Sequence, residues 1–538
     1  MNCLFVHTPK FRNFYNPIGY FSLGDIPASG LFSLADHLDR RGYGARILHL
    51  GLEKSRDPDF DVVHYLRSQS PRVVGLSLHW HYQLPDTIAL ARAIRRGVPN
   101  AKIVAGGLTA SHFAAELLRL VPEIDFVIRG EGEAPLAELL ASLENDSGFE
   151  AVPNLSYRAG GEIRHNAIGF VADRAFLATA DFARYDLLEH SQDYFRLANH
   201  VLRPLSLPGR AANRMFPSGR LGHVVTIGRG CPVECSYCSG SKSTTATTTG
   251  RENTTLRPID SVLRELRSLK ECGVNGIYFA FDPYPYASYY PRLFAAIRNA
   301  GLKFHAGFES FALPDERLLD AFVECFGAGT ENEILLGVES GDETLRAANR
   351  GYPFTNDALW QSLEAMAQRN LVFNISYTLG LPGETTQTLQ ATQDMWRRVA
   401  RRYSTQARQN ATIIHLSPGS PAENKPADAK IAIQPATLAS LLETHRHGMG
   451  RLMGAWGHFP MRHECLTLTG RDPTPAGVTE KILQRTKCRH FCPLSARGLR
   501  YPLNRLVCEC LGLFWRVKGV RRSRVSAVPS GGSDVVYD

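Results

Sequence analysis

The sequence predicts an α/β protein with two parallel-sheet domains in succession, the first doubly wound and the second a partial (β/α)6 barrel of the TIM type. Three observations support this prediction. The chain has 538 residues, which is long for a single hydrophobic core. Short β-rich runs alternate with amphipathic helical stretches over residues 1–145 and again over 222–425. Residues 146–221 are irregular and rich in Asn, Gly, Pro and Arg, and we interpret them as a connector.

The composition is typical of a folded protein, and the sequence patterns lead us to expect that it stays in the cytoplasm. Hydrophobic residues make up 44% and charged residues 21% of the chain, which argues against extensive disorder. No apolar run reaches the roughly 18 residues of a membrane span, and the first residues lack a secretory signal. Much of the net charge of +9 lies in Arg516–Arg524 and in arginine pairs, without a nucleic-acid-binding motif. We therefore expect no nucleic-acid partner, although peripheral membrane contact through Val507–Arg524 stays open.

The first domain is expected to bind a ligand at one edge of its sheet. In a doubly wound sheet, ligands lie beyond the carboxyl ends of the strands, where glycine-rich turns allow close backbone approach. Gly106–Gly107 and Gly130–Glu133 occupy such positions, although each could be only a tight turn. The predicted strands are Cys3–His7, Ala45–Leu50, Val73–Leu78, Lys102–Ala105 and Phe126–Arg129, and the predicted helices include Ala28–Arg41, Asp86–Arg96 and Phe113–Leu120.

The second domain repeats a strand–helix unit six times. A hairpin around Asn154–Asn166 is predicted in the connector that precedes it. Chemistry in a barrel of this type belongs at the carboxyl ends of the strands. The predicted strands are His223–Ile227, Gly276–Phe281, Phe304–Glu309, Glu333–Glu339, Asn374–Leu379 and Thr412–Leu416. Residues 426–538 are interpreted as a C-terminal extension whose Ser-, Gly- and Val-rich end is disordered.

Three cysteines follow the first barrel strand, in the loop where catalysis is expected. Cys231, Cys235 and Cys238 can supply three thiolates to a four-iron cluster, leaving one iron open to the amino and carboxylate groups of a small molecule. Zinc is the alternative. It usually takes four ligands, and no His or Cys occurs within the next thirty residues. The spacing therefore favours an iron–sulfur cluster.

This motif resembles the signature of the radical S-adenosylmethionine (SAM) superfamily, C-x3-C-x2-C with an aromatic residue, here Tyr237, before the last cysteine. The resemblance covers roughly Gly222–Ser420. It implies a [4Fe-4S] cluster that receives an electron from a donor such as flavodoxin or ferredoxin and cleaves SAM to a 5′-deoxyadenosyl radical. It also implies SAM contacts from the strand end at Glu339 and Ser340 and from the turn at Gly380.

One SAM contact departs from the family pattern. The second barrel strand lacks the carboxylate pair or Gly-Gly-Glu segment that often grips the methionine amino group in this superfamily. Asp282 is the carboxylate available there and is the candidate for that contact.

The front domain resembles the cobalamin-binding domain of the cobalamin-dependent branch of this superfamily, which has a Rossmann-like fold. The resemblance covers roughly Cys3–Leu143 and implies a slot for the nucleotide tail of cobalamin. The first strand runs into His7 without the Asp-x-His-x-x-Gly loop, so no lower-face histidine ligand is predicted. The alternative is a fold that binds nothing. The candidate cofactor contacts are Ser77, Gly106, Gly107, Gly130 and Glu131.

Four cysteines lie close together in the C-terminal extension: Cys488, Cys492, Cys508 and Cys510. Their density suggests a second metal site, either iron–sulfur or zinc, and the spacing does not choose between the two. Cys508 and Cys510 lie in an apolar stretch, so simple burial also explains them.

These features predict a cobalamin-dependent radical enzyme that methylates an unactivated carbon of a small-molecule or natural-product substrate. An alternative is a radical cyclase or rearrangement enzyme in which the cobalamin domain does not methylate or is vestigial. A hypothesis of another class is a noncatalytic iron–sulfur or corrinoid sensor, which would bind cofactor without consuming SAM.

Overall fold

Two parallel sheets dominate the fold. The computed structural model describes residues 2–8, 29–57, 60–192, 222–280, 288–413, 417–425 and 436–444. The first sheet has seven strands in the order β2-β1-β3-β4-β5-β6-β7. Its strands are β1 (Cys3–His7), β2 (Ala45–His49), β3 (Val73–Ser77), β4 (Lys102–Gly106), β5 (Phe126–Ile128), β6 (Leu155–Ala159) and β7 (Glu162–His165).

The first five strands are parallel, and β6 and β7 add an antiparallel edge. The predicted hairpin is therefore present, but it continues the front sheet beyond the predicted domain end at residue 145. The strand order reverses between β1 and β3, and the carboxyl ends at such a switch point form the usual ligand crevice of a doubly wound sheet.

Alternating side chains of the front sheet pack into two hydrophobic cores, one on each face of the sheet. In β1, Cys3 and Phe5 face one core, whereas Leu4 and Val6 face the other. Helices cover both faces, as the doubly wound prediction requires. They are α1 (Ser29–Asp39), α2 (Leu50–Arg56), α3 (Val62–Gln69), α4 (Leu84–Gly97), α5 (Leu108–His112), α6 (Ala114–Leu120) and α7 (Glu133–Glu144).

The second sheet has six strands, all parallel, in the order β15-β14-β13-β12-β11-β8. Within the described ranges β8 and β15 do not pair, so the barrel is open and the predicted partial (β/α)6 architecture is confirmed. The strands are β8 (Gly222–Val224), β11 (Gly276–Phe279), β12 (His305–Ser310), β13 (Gly329–Glu339), β14 (Leu371–Leu379) and β15 (Ala407–Ile413). A separate two-stranded ribbon joins β9 (Gly228–Arg229) to β10 (Thr255–Leu256).

Side-chain caps start the main barrel helices directly after the loops at the strand ends. Asp315, Asp342, Thr355 and Thr385 each accept a hydrogen bond from the backbone N–H three residues later. The described helices after the front domain are α8 (Arg174–Thr179), α9 (Lys242–Thr249), α10 (Ile259–Glu271), α11 (Tyr289–Asn299), α12 (Glu316–Phe326), α13 (Glu343–Asn349), α14 (Asn356–Gln368), α15 (Thr386–Arg402), α16 (Pro421–Asn424) and α17 (Leu438–Thr444). None of them is long and apolar enough to cross a membrane.

Candidate active site

The three predicted cluster cysteines lie in a compact loop between β9 and α9. The Cys238 backbone N–H donates to the Cys235 carbonyl at 3.3 Å, and the Ser241 N–H donates to the Cys238 carbonyl at 3.1 Å. The three cysteines have free thiols and are partly exposed. The loop therefore presents its three sulfur atoms from one short segment at the carboxyl end of the barrel.

Burial raises the pKa of the Cys231 thiol to about 12 and that of the Cys238 thiol to about 11. Thiolates in this position need hydrogen-bond donors. The Gly240 N–H donates to the Cys238 Sγ at 3.2 Å. The backbone N–H of Val233 lowers the pKa of Cys231, and that of Gly351 lowers the pKa of Cys235, in both cases against the effect of burial. Such N–H donors also tune the reduction potential of an iron–sulfur cluster.

The donor set suits a cluster with one open iron. In the described part of the chain, no three His, Cys, Asp or Glu side chains are arranged to hold a single metal ion. A cluster spreads its ligands over several irons, so its cysteines need not converge on one point. The residues present therefore fit the predicted group.

The end of α13 and the loop after it hold the cluster loop in place. The Ser236 N–H donates to the Asn349 carbonyl at 2.9 Å, and its hydroxyl donates to the Asn349 Oδ1 at 2.7 Å. The Asn349 amide in turn donates to the Pro382 carbonyl at 2.9 Å, which reaches the turn after β14. A Cβ atom on Gly351 would lie 2.1 Å from the Glu234 backbone nitrogen, so this approach requires glycine.

Glu339 ends β13 with a positive φ of 64°, an unusual conformation for a residue with a side chain. Its carboxylate accepts from the Arg350 guanidinium at 2.9 Å and from the Thr378 hydroxyl. Arg350 also donates to the Phe311 carbonyl, and its Nε has no hydrogen-bond partner in the described part of the chain. Backbone strain held by surrounding contacts is a recurrent feature of functional sites. Glu339 thus remains a candidate SAM contact, oriented by Arg350 and Thr378.

The neighbouring candidate, Ser340, has a supporting position. It is fully buried, its hydroxyl lies 3.2 Å from that of Thr392, and it accepts from the Asp342 N–H at 3.1 Å. These contacts show that Ser340 supports the strand end. Its contact with SAM stays a prediction.

Tyr237 connects the cluster loop to two other parts of the barrel. Its carbonyl accepts from the Ser417 N–H at 3.1 Å. Burial raises the pKa of its phenol well above the ordinary value, and nearby Glu339 acts in the same direction. A neutral phenol therefore lies between the cluster cysteines and the end of β13.

The predicted adenine-side turn follows β14. Gly380 has a φ of 84°, and its N–H donates to the Glu384 carboxylate at 2.6 Å. The second carboxylate oxygen of Glu384 is buried and has no hydrogen-bond partner among the residues that the structure describes. Burial raises the pKa of Glu384 to about 8, although the Gly380 N–H opposes the shift. The turn is thus closed by a carboxyl group that favours its neutral form.

The front sheet presents Ser77 and Gly106 side by side at the carboxyl ends of β3 and β4. Among the described residues, a Cβ atom on Gly106 would have only the Ile128 carbonyl within 4 Å, at 3.8 Å. On Gly107, which has a φ of 113°, it would lie 2.7 Å from the Leu78 carbonyl. Gly107 is required by the turn itself, whereas the space beside Gly106 is open to a ligand.

His7 at the end of β1 gives a second sign of a ligand at this edge. Only 4% of it is exposed, and neither ring nitrogen has a hydrogen-bond partner among the described residues. Burial, together with the neighbouring His49 and His79, holds the pKa of His7 well below its ordinary value. A neutral imidazole with free hydrogen-bonding capacity and an open position at Gly106 fit a polar ligand such as cobalamin at the β1–β3 switch point.

Gly130 and Glu131 make contacts other than those expected from the sequence. A Cβ atom on Gly130 would lie 2.9 Å from the Thr249 carbonyl at the end of α9. The Glu131 carboxylate accepts from Arg229 at 2.8 Å and also pairs with Arg251. Both residues therefore help to join the two domains, and their contact with the cofactor stays a prediction.

The loop after the last barrel strand contacts the short helix that follows β4 of the front sheet. A Cβ atom on Gly419 would come within 2.8 Å of the ring of His112, which ends α5 just after the Gly106–Gly107 turn. The Gly419 carbonyl also accepts from the Thr244 hydroxyl of α9 at 2.7 Å. The loop after β15 therefore contacts both the cluster segment and the front domain.

Several predicted site residues fall outside the described residues. They are Asp282 and the four C-terminal cysteines Cys488, Cys492, Cys508 and Cys510. The SAM contact assigned to Asp282 and the second metal site remain predictions.

Two family models match the chain. One, described as the B12 binding domain, matches residues 19–140, and one, described as the Radical SAM superfamily, matches residues 225–431. The chain is a radical SAM enzyme with a B12-binding domain. The resemblance inferred from the sequence is confirmed, and the cofactors of these domains are a [4Fe-4S] cluster with SAM and cobalamin, respectively.

Curated relatives of this radical SAM enzyme carry out different reactions. The anaerobic magnesium-protoporphyrin IX monomethyl ester cyclase of Synechocystis sp. is 25% identical over 219 residues, which cover 40% of this chain and 38% of the cyclase. The hopanoid C-3 methylase of Methylococcus capsulatus is 27% identical over 246 residues, covering 46% of this chain and 41% of the methylase. The matched region is thus less than half of each relative.

A solved structure matches most of this radical SAM enzyme. The radical SAM methyltransferase TsrM of Kitasatospora setae, with cobalamin and a [4Fe-4S] cluster bound, has a TM-score of 0.59 at 16% identity. The match covers 81% of this chain and 80% of TsrM. TsrM has also been solved with tryptophan and a SAM analogue. At this identity the likeness demonstrates a shared fold.

Sequence reasoning missed the residues that support the site. Asn349 ends α13 and is followed by Arg350 and Gly351, all without a recognisable motif, and Arg251 lies in a polar segment. Arg229 carried a usable signal, because it precedes the first cluster cysteine by two positions.

Proposed function

We propose that this radical SAM enzyme is a cobalamin-dependent methyltransferase that acts on an unactivated carbon of a small molecule or natural product. The observation that carries the proposal is the contact between the loop after the last barrel strand and the short helix that follows β4. Gly419 lies against His112 of the front domain, in the loop whose Ser417 binds the Tyr237 carbonyl. Methyl transfer to a substrate radical requires both cofactors to reach one substrate, and this arrangement supports that requirement.

The residues of the chain have distinct tasks in this proposal. When bound, the cluster with SAM supplies the 5′-deoxyadenosyl radical and cobalamin supplies the methyl group. Cys231, Cys235 and Cys238 hold the cluster and leave one iron open to SAM. Glu339, oriented by Arg350, accepts a hydrogen bond from SAM. An electron donor such as flavodoxin or ferredoxin is part of the proposal.

The test is anaerobic reconstitution with both cofactors, followed by product analysis over candidate substrates. Methylation predicts 5′-deoxyadenosine together with S-adenosylhomocysteine. The control is the triple variant Cys231→Ala, Cys235→Ala, Cys238→Ala, which should lose the cluster and all 5′-deoxyadenosine. Retained 5′-deoxyadenosine in the triple variant would overturn the assignment of the cluster site.

A radical cyclase is the second candidate, favoured by the similarity to a magnesium-protoporphyrin ester cyclase. It predicts 5′-deoxyadenosine without S-adenosylhomocysteine in the same assay. A noncatalytic sensor predicts neither product. The three hypotheses are therefore separated by one measurement.

A further inference from the structure

Four charged side chains form an ion network between the front domain and the barrel. Glu131 and Glu133 follow β5 at the start of α7, whereas Arg229 ends β9 and Arg251 follows α9. The Arg229 guanidinium donates to Glu131 at 2.8 Å and pairs with Glu133, and Arg251 pairs with Glu131. This network differs from the exposed ion pairs of the surface because all four side chains are nearly buried, with 2% to 16% exposed.

Each acidic side chain depends on the barrel for its countercharge. Within the front domain, the Glu133 carboxylate accepts a hydrogen bond from the Ser33 hydroxyl at 2.7 Å, and no described cation of that domain pairs with it. Burial alone would raise the pKa of Glu133, but Arg229, together with the Ser33 hydroxyl and the Glu133 backbone N–H, holds it below the ordinary value. A buried carboxylate without a cation is strongly unfavourable, so the network disfavours separation of the two domains.

The network is attached to both cofactor edges by short segments. Arg229 is separated from the cluster ligand Cys231 by Gly230 alone, whose φ of 87° turns the chain sharply. On the other side, Gly130 lies against the end of α9, and Glu131 begins three residues after β5 ends. Movement in the network would therefore displace the cluster loop relative to the carboxyl edge of the front sheet.

Arg229 is further fixed by an aromatic ring. Its guanidinium lies 5.5 Å from the centre of Phe182, and the buried Arg257 lies 4.7 Å from the same ring. Arg251 also donates to the Ala172 carbonyl at 2.6 Å. Both arginines are thus held by the segment that links the two sheets, which limits the positions that the network can take.

We propose that Glu131, Glu133, Arg229 and Arg251 are positioning residues that set the distance between the cluster and the cobalamin. The proposal rests on the proposed function only in requiring that both cofactors bind. It does not depend on whether the reaction is methylation or cyclisation.

The test is electron paramagnetic resonance on the full chain loaded with both cofactors. The reduced cluster and cob(II)alamin each carry unpaired electrons, and their dipolar coupling reports the distance between them. The test variants are Glu131→Gln, Glu133→Gln and the double substitution, because these residues are remote in sequence from the cluster ligands. The matched control is Arg298→Gln, which removes the exposed pair with Glu324.

We expect the wild type and the Arg298→Gln control to show one coupling. The double variant should lose at least half of that component while iron and cobalt per chain stay unchanged, and Glu131→Gln, in which the amide still accepts from the Ala172 N–H, should show a smaller loss. An unchanged coupling in the double variant would overturn the proposal. So would a loss of coupling that only parallels a loss of cofactor, because that result reports folding. Should the double variant not fold, the single variants decide by the same criterion.

Discussion

The buried carboxyl group of Glu384, in the turn after β14, is expected to make the stability of the protein depend on pH. Its pKa is raised to about 8 by burial, from an ordinary value of 4.5. The folded state therefore binds this proton more tightly than the unfolded chain does. The resulting stabilisation is complete below about pH 4.5 and is lost as the pH rises to about 8.

We expect Glu384→Gln to remove this pH dependence, because an amide stays neutral and still accepts from the Gly380 N–H. Relative to the wild type, the variant should gain stability from pH 5 to pH 8, on the order of a few kcal/mol. Apparent thermal midpoints of both proteins across this range measure the effect. Parallel curves would contradict the assignment of Glu384 as the titrating group.

The adjacent glycines of the front domain are expected to respond differently to substitution. Gly107→Ala forces a side chain into a positive φ and against the Leu78 carbonyl, which should destabilise the fold by roughly 1–3 kcal/mol. Gly106→Val meets no such obstacle. It should keep the thermal midpoint but lower cobalamin retention several-fold, measured by the visible spectrum and cobalt content. Wild-type cobalt content in folded Gly106→Val would exclude a ligand at this position.

The residue scale also marks a limit of sequence reasoning. The glycine after β5 and the acidic residue that follows it match a cofactor-binding turn in spacing. Nothing in the local sequence reveals that Arg229 and Arg251, 98 and 120 positions further along, bind the Glu131 carboxylate. A motif indicates where a turn lies, whereas its contacts depend on long-range packing.

Among the elements, the bounds of the first five strands of the front sheet agree with the sequence prediction to within one residue. By contrast, β15 begins at Ala407, five residues before the predicted start at Thr412. Short apolar runs predict buried strands, but the segment Ala407–Ile413 is largely polar and contains no such run. Its side chains bond across to β14, for example Gln409 with the Tyr377 hydroxyl at 3.0 Å and Asn410 with the Ser376 hydroxyl at 3.0 Å. Hydrogen bonds replace apolar burial in this edge strand, so its hydropathy pattern carried no signal.

The end of α13 is expected to control how firmly the cluster is held. Asn349→Ala removes the bonds to the Ser236 hydroxyl and the Pro382 carbonyl, which should loosen the cluster loop by about 1–3 kcal/mol. Iron release to a chelator should become several-fold faster. Asn166→Ala is the matched control, because this asparagine also donates to two carbonyls but lies in the front domain. Equal iron release from both variants would show that the anchor has no special role.

On the scale of the whole molecule, the C-terminal cysteines pose a question of metal stoichiometry. If Cys488, Cys492, Cys508 and Cys510 form a second site, changing all four to Ser should lower iron or zinc per chain while 5′-deoxyadenosine production by the first cluster persists. Metal analysis of the reconstituted variant and wild type measures this. Unchanged iron and zinc would favour simple burial of these cysteines.

The order of the two domains along the chain has a consequence for biosynthesis. A ribosome completes the front sheet before it adds the barrel, and Glu133 precedes its partner Arg229 by 96 residues. During that interval the nascent front domain has an acidic edge that stays hydrated, because its carboxylates have no cation to pair with. These carboxylates can therefore lose their water only after the barrel has been synthesised. Joining of the front domain to the barrel is then a late step of translation, because Arg229 and Arg251 are synthesised after the carboxylates that they bind.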